Sequence, residues 1–234
     1  MAHELRAENL VVRYGTATAV VGLDMRFEPG RINAVVGPNG AGKSSLLLAL
    51  CGAVPASGVV RLGDRDISGL TPAQRGRAGV ALVPQGRQIF PTLTVRENLE
   101  VMAEVLRVDH AAVDRALARF PVLVERARAL AGVLSGGEQQ MLAVTRALMA
   151  DPCHVLLLDE MATGLAPLIV QGLMRTVREL AENGTTVVMA EASIGAIRGD
   201  IDSGVILLRG EVVASADDGD QLDSIYRSRM GMVA

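Results

Sequence analysis

The most informative stretch of the sequence is Gly37-Pro38-Asn39-Gly40-Ala41-Gly42-Lys43-Ser44. It lies between the apolar run Ile32 to Val36 and the segment Lys43 to Leu50, which has helical composition, so it predicts a buried strand, a loop and a helix. Glycines in such a loop let backbone N–H groups surround phosphate oxygens, and the helix start adds partial positive charge. We therefore expect this phosphate-binding loop (P-loop), with the following Ser45, to bind a nucleotide. Lys43 is expected to reach the β and γ phosphates, and the Ser44 hydroxyl to ligate Mg²⁺.

Lys43 is the single lysine of the chain, since 22 of the 23 basic residues are arginine. A P-loop needs a slim ammonium beside packed backbone amides, where a broad planar guanidinium fits badly. With 26 acidic residues the formal net charge is -3. The chain shows no basic cluster, so nucleic acid is not an expected partner. It also lacks a run of about 20 apolar residues, so no membrane-spanning helix is expected.

The hydrophobic pattern predicts an α/β fold. Residues 4 to 28 alternate apolar and polar side chains, which indicates antiparallel strands with one solvated face. Four later apolar runs, separated by helical stretches, predict a parallel sheet covered on both faces: Val80 to Val83, Val155 to Leu158, Thr185 to Ala190 and Val205 to Leu208. Half of the 234 residues are hydrophobic, enough for a full core.

Between about residues 87 and 150 the pattern is helical throughout. Thr94 and Glu97 form a capping box that opens one helix. We expect residues 1–234 to form one domain, with an N-terminal antiparallel β subdomain and a helical subdomain inserted at about 87–150. The acidic stretch from Glu211 to Asp223 is interpreted as a solvated loop and a helix start.

Two carboxylates, Asp159 and Glu160, end the apolar run that begins at Val155. At the carboxyl end of a strand, Asp159 can hold the Mg²⁺ shell and Glu160 can orient and activate the attacking water. An acidic pair after a strand is common, but after a P-loop it is the expected metal ligand and general base.

The stretch Leu134-Ser135-Gly136-Gly137-Glu138-Gln139-Gln140 opens a helix with a Ser-x-x-Glu capping box. Two glycines after the N-cap cost helix stability, but they let a phosphate approach the helix start without a Cβ in the way. In isolation, an ordinary capped helix with permissive glycines also fits this stretch.

Taken together and in this order, these motifs resemble the ATP-binding subunit of ABC transporters, whose signature motif is similar to Leu134 to Gln140. The stretches Val83 to Phe90, Ser135 to Leu148 and Gly164 to Pro167 look like the branched-chain amino acid and urea uptake subgroup. The similarity favours the smaller of that subgroup's two ATPase subunits. It implies a P-loop NTPase (ABC ATPase) core with a mostly parallel sheet.

The resemblance also implies roles for single residues. Tyr14 matches the aromatic that stacks on adenine, and Gln85 matches the glutamine that contacts Mg²⁺ and senses the membrane subunit. Asp159 and Glu160 match the metal and catalytic acids. From the residues alone, Tyr14 also fits a strand-edge aromatic, and Gln85 a polar residue at a strand end.

A dimer of two such domains enclosing two ATP molecules is a further implication. The P-loop of one would face Ser135, Gly136, Gly137 and Glu138 of the other. Polytopic membrane permease subunits would dock near Gln85 and the helical insertion, and a solute-binding protein would take part indirectly. The chain would then lie peripherally on the cytoplasmic face of the cell membrane, and its sequence does not encode the solute.

The sequence departs from this family pattern at three places. Met161 replaces the usual proline, and the turn from Ala162 to Ala166 lacks the usual serine or aspartate. After the strand ending at Ala190, the family places a histidine or glutamine that touches the γ-phosphate, and here Ala192 aligns with it. We hypothesise that this site binds ATP well but hydrolyses it slowly, beside a faster paralogous partner. That favours a heterodimer and leaves a homodimer open. A replacement contact from Ser193 or Glu191, or an alignment shift of one residue, is the alternative.

Two other functions compete with an import ATPase. One is a soluble ABC ATPase of the iron–sulfur assembly type, which the chain length does not exclude. The other is a regulatory nucleotide-binding subunit with slow or no hydrolysis. The presence of Glu160 argues against the second.

Overall fold

The computed structural model describes residues 3–150 and 152–231. Its strands are β1 (Leu5–Tyr14), β2 (Ala17–Phe27), β3 (Ile32–Val36), β4 (Ala56–Leu62), β5 (Arg65–Asp66), β6 (Val80–Val83), β7 (Val155–Asp159), β8 (Thr186–Glu191), β9 (Ser203–Leu208) and β10 (Glu211–Ala216). Its α-helices are α1 (Lys43–Leu50), α2 (Pro72–Arg77), α3 (Val95–Leu106), α4 (Ala111–Leu117), α5 (Pro121–Glu125), α6 (Gly136–Ala147), α7 (Pro167–Glu182) and α8 (Gly219–Arg229).

The strands form two sheets. One is antiparallel, in the order β2-β1-β4-β5. The other has the order β10-β9-β3-β8-β7-β6, in which β10 is antiparallel to β9 and the remaining neighbours are parallel. Because parallel strands end at the same edge, the segments after β3, β6, β7 and β8 come together there. The predicted P-loop NTPase architecture is confirmed.

In the six-stranded sheet, strands β3, β7 and β8 are buried on both faces, which explains their continuous apolar runs. In β7, Val155 and Leu157 pack with α1 and the antiparallel sheet. The alternate residues Leu156 and Leu158 pack with the helices of the opposite face, including α6 and α7. This alternation also sets the direction of polar side chains at the strand ends.

The segment between β6 and β7 contains α3 to α6. The predicted capping box of α3 is present, because Glu97 N–H donates to Thr94 Oγ1 (3.1 Å) and Thr94 N–H donates to Glu97 Oε2 (2.7 Å). The first helix begins only at Val95, however. Before it, residues 86–88 form a loop in which all three φ angles are positive.

Two edges of the sheets differ from the sequence-based expectations. No strand is predicted for residues 56–66, yet the β4–β5 hairpin extends the antiparallel sheet there; a Cβ on Gly58 would lie 2.4 Å from the Asn9 carbonyl oxygen. The interpretation of Glu211 to Asp223 as a loop is wrong for its first half, which is the edge strand β10. The helix start is confirmed, since Asp218 caps α8. Among the described residues, no helix is long and apolar enough to cross a membrane.

Candidate active site

The loop after β3 wraps around the side chain of Lys43. Its ammonium donates hydrogen bonds to the carbonyl oxygens of Gly37 (2.8 Å) and Pro38 (3.2 Å), and its Nζ lies 3.8 Å from Glu160 Oε1. Burial lowers the pKa of Lys43, while neighbouring carboxylates, foremost Glu160, oppose that shift. Since an ammonium has three N–H groups, the loop carbonyls fix two and leave one for a phosphate oxygen.

Two glycines of the P-loop are required by packing within the chain. Gly42 has a φ of 104°, and a Cβ there would lie 2.2 Å from the Ala19 carbonyl oxygen. A Cβ on Gly37 would lie 2.2 Å from the Leu207 carbonyl oxygen. The loop therefore fits against β2 and β9 only without these side chains, a constraint additional to phosphate binding.

An open cleft of about 500 Å³ lies beside the P-loop. Tyr14, at the end of β1, is 48% exposed and lines this cleft together with Gln85 and Glu160. The cleft also brings together most of the residues expected to bind phosphate: Asn39, Gly40, Ala41, Gly42, Lys43, Ser44 and Ser45. Residues far apart in the sequence thus meet around one cleft beside the P-loop.

Glu160 connects the elements around this cleft. Gln85 Nε2 donates to Glu160 Oε2 (2.6 Å), while the other carboxylate oxygen faces Lys43. The backbone of Glu160 is left-handed, with a φ of 49°, which costs about 1–2 kcal/mol for a residue with a side chain. Its N–H donates to the Ala190 carbonyl oxygen (2.9 Å), which helps to fix this conformation.

Asp159 offers a suitable ligand for Mg²⁺. The side chain is buried and its Oδ1 has no hydrogen-bond partner, while the neighbouring Ser44 side chain favours the charged form of the carboxylate. Burial raises the pKa of Asp159, and a cation would relieve that cost by favouring the charged form. No group of three or more His, Cys, Asp or Glu side chains in 3–150 and 152–231 is placed to hold a metal ion. Mg²⁺ in proteins is commonly bound by one or two carboxylates together with phosphate oxygens and water, so a single carboxylate fits its usual coordination.

The signature motif stands at the start of α6. Glu138 N–H donates to Ser135 Oγ (3.3 Å), and Ser135 N–H donates to Glu138 Oε2 (2.7 Å), which confirms the predicted capping box. These bonds lower the pKa of Glu138. A Cβ added to Gly136 would lie 3.1 Å from the Arg87 guanidinium, and a Cβ added to Gly137 would lie 3.0 Å from the Ile169 side chain. A side chain at either position would therefore require its neighbour to shift by a few tenths of an ångström.

Two side chains near the site have roles that the sequence did not reveal. The sequence suggests Glu191 only as a replacement γ-phosphate contact, but its carboxylate is buried and accepts the Ala162 N–H (3.1 Å). The sequence does contain one signal for Glu191: like Asp159, it is a carboxylate at the end of an apolar strand. Arg87 donates to Gln139 Oε1 (2.9 Å), joining the loop after Gln85 to α6, and no sequence signal indicates this contact.

The ABC transporter family model matches residues 20–163. The chain is 40% identical over 203 residues to the high-affinity branched-chain amino acid transport ATP-binding protein BraG of Pseudomonas aeruginosa, covering 86% of this chain and 87% of BraG. It is 33% identical over 223 residues to the probable branched-chain amino acid transport ATP-binding protein LivF of Archaeoglobus fulgidus, covering 94% of each.

A solved ATP-binding cassette of an ABC transporter, in its ADP conformation, is 26% identical and superimposes with a TM-score of 0.84 over 96% of this chain and 95% of that chain. The family, the relatives and this structure agree with the resemblance carried by the motifs. The chain belongs to the ABC transporter family, as one of its ATP-binding subunits.

Proposed function

We propose that this chain is the ATP-hydrolysing subunit of an importer for branched-chain amino acids or a related small amide. The observation that carries the hydrolytic part is the placement of Glu160, which contacts Gln85 and faces Lys43 at the edge of the cleft. The names of the two relatives support the solute class. They also disfavour the iron–sulfur assembly and regulatory alternatives.

The cleft residues divide the work of phosphoryl transfer between them. Tyr14 would stack on adenine, and the P-loop amides and Lys43 would hold the β and γ phosphates. Mg²⁺, held by Ser44, Gln85 and Asp159, would neutralise charge on the phosphate oxygens. Once a phosphate oxygen of ATP takes the place of the Glu160 carboxylate beside Lys43, Glu160 would accept a proton from the attacking water.

A second ABC ATPase subunit would complete the site. Within the described residues, the start of α6 contributes nothing to the lining of the cleft beside the P-loop. We therefore propose that Ser135, Gly136, Gly137 and Glu138 face the ATP bound by the other subunit. ATP would then bring the two subunits together, and hydrolysis would release them.

Movement at the membrane would reach Glu160 through the loop after β6. Arg87 joins this loop to Gln139 of α6, and Arg146 of α6 donates to the Gln88 carbonyl oxygen (2.6 Å). If polytopic permease subunits displaced α3 to α6, the loop after β6 would move with these helices. Gln85 lies in that loop and is hydrogen-bonded to Glu160. We propose that this region docks the permeases at the cytoplasmic face of the membrane, as part of a proposed helical subdomain.

The end of β8 supports the proposal of a slow site. Ala192 offers no polar group, the Glu191 carboxylate is engaged by Ala162 N–H, and the exposed Ser193 accepts the Gly195 N–H (3.5 Å). None of residues 191–193, all of them described, lines the P-loop cleft. The heterodimer with a faster paralogous subunit is accordingly our preferred assembly.

Ala192→His is expected to raise ATP turnover by about tenfold or more, because it would add a donor to the γ-phosphate in the transition state. Phosphate release would be measured on the purified chain and on the assembly recovered with it from solubilised membranes. Ala196→His, a few residues further along the same loop at an exposed position, is the control. Equal and brisk rates for the wild type and Ala192→His would contradict the slow-site proposal.

Uptake by intact cells tests the importer function. Removal of the chain is expected to reduce uptake of radiolabelled leucine, isoleucine and valine, and re-expression is expected to restore it. A panel including urea and short amides would define the solute class. Unchanged uptake of every compound in the panel would contradict the proposed import function.

A further inference from the structure

The end of β8 holds two segments of the active site by three hydrogen bonds. The Glu191 carbonyl oxygen accepts the N–H of Gly37, the first residue of the P-loop (3.2 Å). The Ala190 carbonyl oxygen accepts the N–H of Glu160 (2.9 Å). The Glu191 carboxylate accepts the N–H of Ala162 (3.1 Å). The first two bonds use main-chain atoms that any residue supplies, whereas the third requires a side chain that reaches Ala162.

The carboxylate of Glu191 is buried next to apolar side chains, where a charged group is unfavourable. Glu191 is 2% exposed, and alternation along β8 places it on the same face as Val187 and Met189, which pack with the helical side of the core. Burial raises its pKa to about 7. A buried carboxyl group is destabilising unless hydrogen bonds compensate it, and ending a strand does not require one.

The residue held by this carboxylate follows Glu160 closely. Glu160 has a left-handed backbone, and such a conformation persists only when surrounding contacts fix it. Ala190 holds Glu160 itself, the buried Met161 comes next, and Glu191 holds Ala162. The strained residue is thus fixed both at its own N–H and two residues later.

We infer that Glu191 is a positioning residue for hydrolysis, which by holding Ala162 N–H keeps Glu160 directed toward Gln85 and Lys43. This inference rests on the proposed ATPase function. Glu191 acts through Glu160 and does not touch the nucleotide. Loss of this contact is therefore expected to lower kcat and to leave ATP binding unchanged.

Two substitutions separate hydrogen-bond reach from charge. Glu191→Gln keeps an acceptor oxygen at the same reach and removes the charge. Glu191→Asp keeps the charge, but its side chain is shorter by about 1.5 Å. We expect kcat to stay within about threefold of wild type for Gln and to fall about tenfold or more for Asp, with KM for ATP unchanged in both.

Phosphate release and binding of a fluorescent ATP analogue would be measured on the purified full-length chain, where no faster subunit contributes, with thermal unfolding as a check of folding. Asp223→Asn, which alters a buried carboxylate paired with Arg227 on α8 (2.8 Å), is the control and should leave kcat unchanged. Equal kcat in all variants, or loss in Gln with retention in Asp, would overturn the inference. A wild-type assembly without any ATP hydrolysis would instead refute the proposed function.

Discussion

Glu160→Gln is expected to lower ATP turnover by the purified chain by about 10²- to 10³-fold while ATP binding persists. The amide has nearly the same shape and retains an oxygen that can accept the Gln85 hydrogen bond, but it cannot take a proton from the attacking water. Phosphate release and equilibrium binding of a fluorescent ATP analogue would separate the two effects. Subunits joined by ATP should consequently accumulate, as measured by light scattering.

The matched control is Glu182→Gln, which makes the same change at an exposed residue at the end of α7. Its turnover and thermal unfolding should equal those of the wild type. Turnover of Glu160→Gln within a few-fold of the wild type would show that another group activates the water, and would remove the main support for the proposed mechanism.

Lys43→Arg is expected to reduce turnover by at least about 10²-fold and to weaken ATP binding. The Lys43 side chain is 4% exposed, and its ammonium donates to the carbonyl oxygens of Gly37 and Pro38. A planar guanidinium is too broad for that enclosure, so the charge is kept but its position is lost. Both quantities would be measured with the assays used for Glu160→Gln.

The reverse exchange, Arg119→Lys, is the control for Lys43→Arg. Arg119 lies on the surface, where only the positive charge counts, and we expect neither ATP binding nor turnover to change. Near-normal turnover of Lys43→Arg would show that the interpretation of the single lysine is wrong.

Much of the fold is predictable from local sequence patterns. The run from Ile32 to Val36, the glycine-rich loop and the helix from Lys43 follow one another as expected, because burial on both faces and helix composition are both visible locally. The capping boxes at Thr94 and Ser135 are equally local. The hairpin after Pro55 escaped prediction because its pairing with β1 is a tertiary contact that propensity does not encode.

The site was predictable to the extent that each residue stands in a motif. The loop residues and the carboxylates Asp159 and Glu160 stand in such motifs. By contrast, the contacts of Arg87 with Gln139 and of Glu191 with Ala162 join residues 52 and 29 positions apart. Such contacts depend on how strands and helices pack, so a single sequence shows the residue types without showing that they meet.

The central claim is that this chain hydrolyses ATP as the subunit of a membrane transporter. The most direct test is to recover the tagged, full-length chain from solubilised membranes of the cells that produce it, and to measure ATP hydrolysis by the recovered assembly and by the chain purified from it. We predict recovery with polytopic membrane proteins, hydrolysis by both samples, and loss of hydrolysis by the purified chain in Glu160→Gln without a change in the composition of the assembly. Recovery without any integral membrane protein, or hydrolysis by the purified chain that Glu160→Gln leaves unaffected, would contradict the claim.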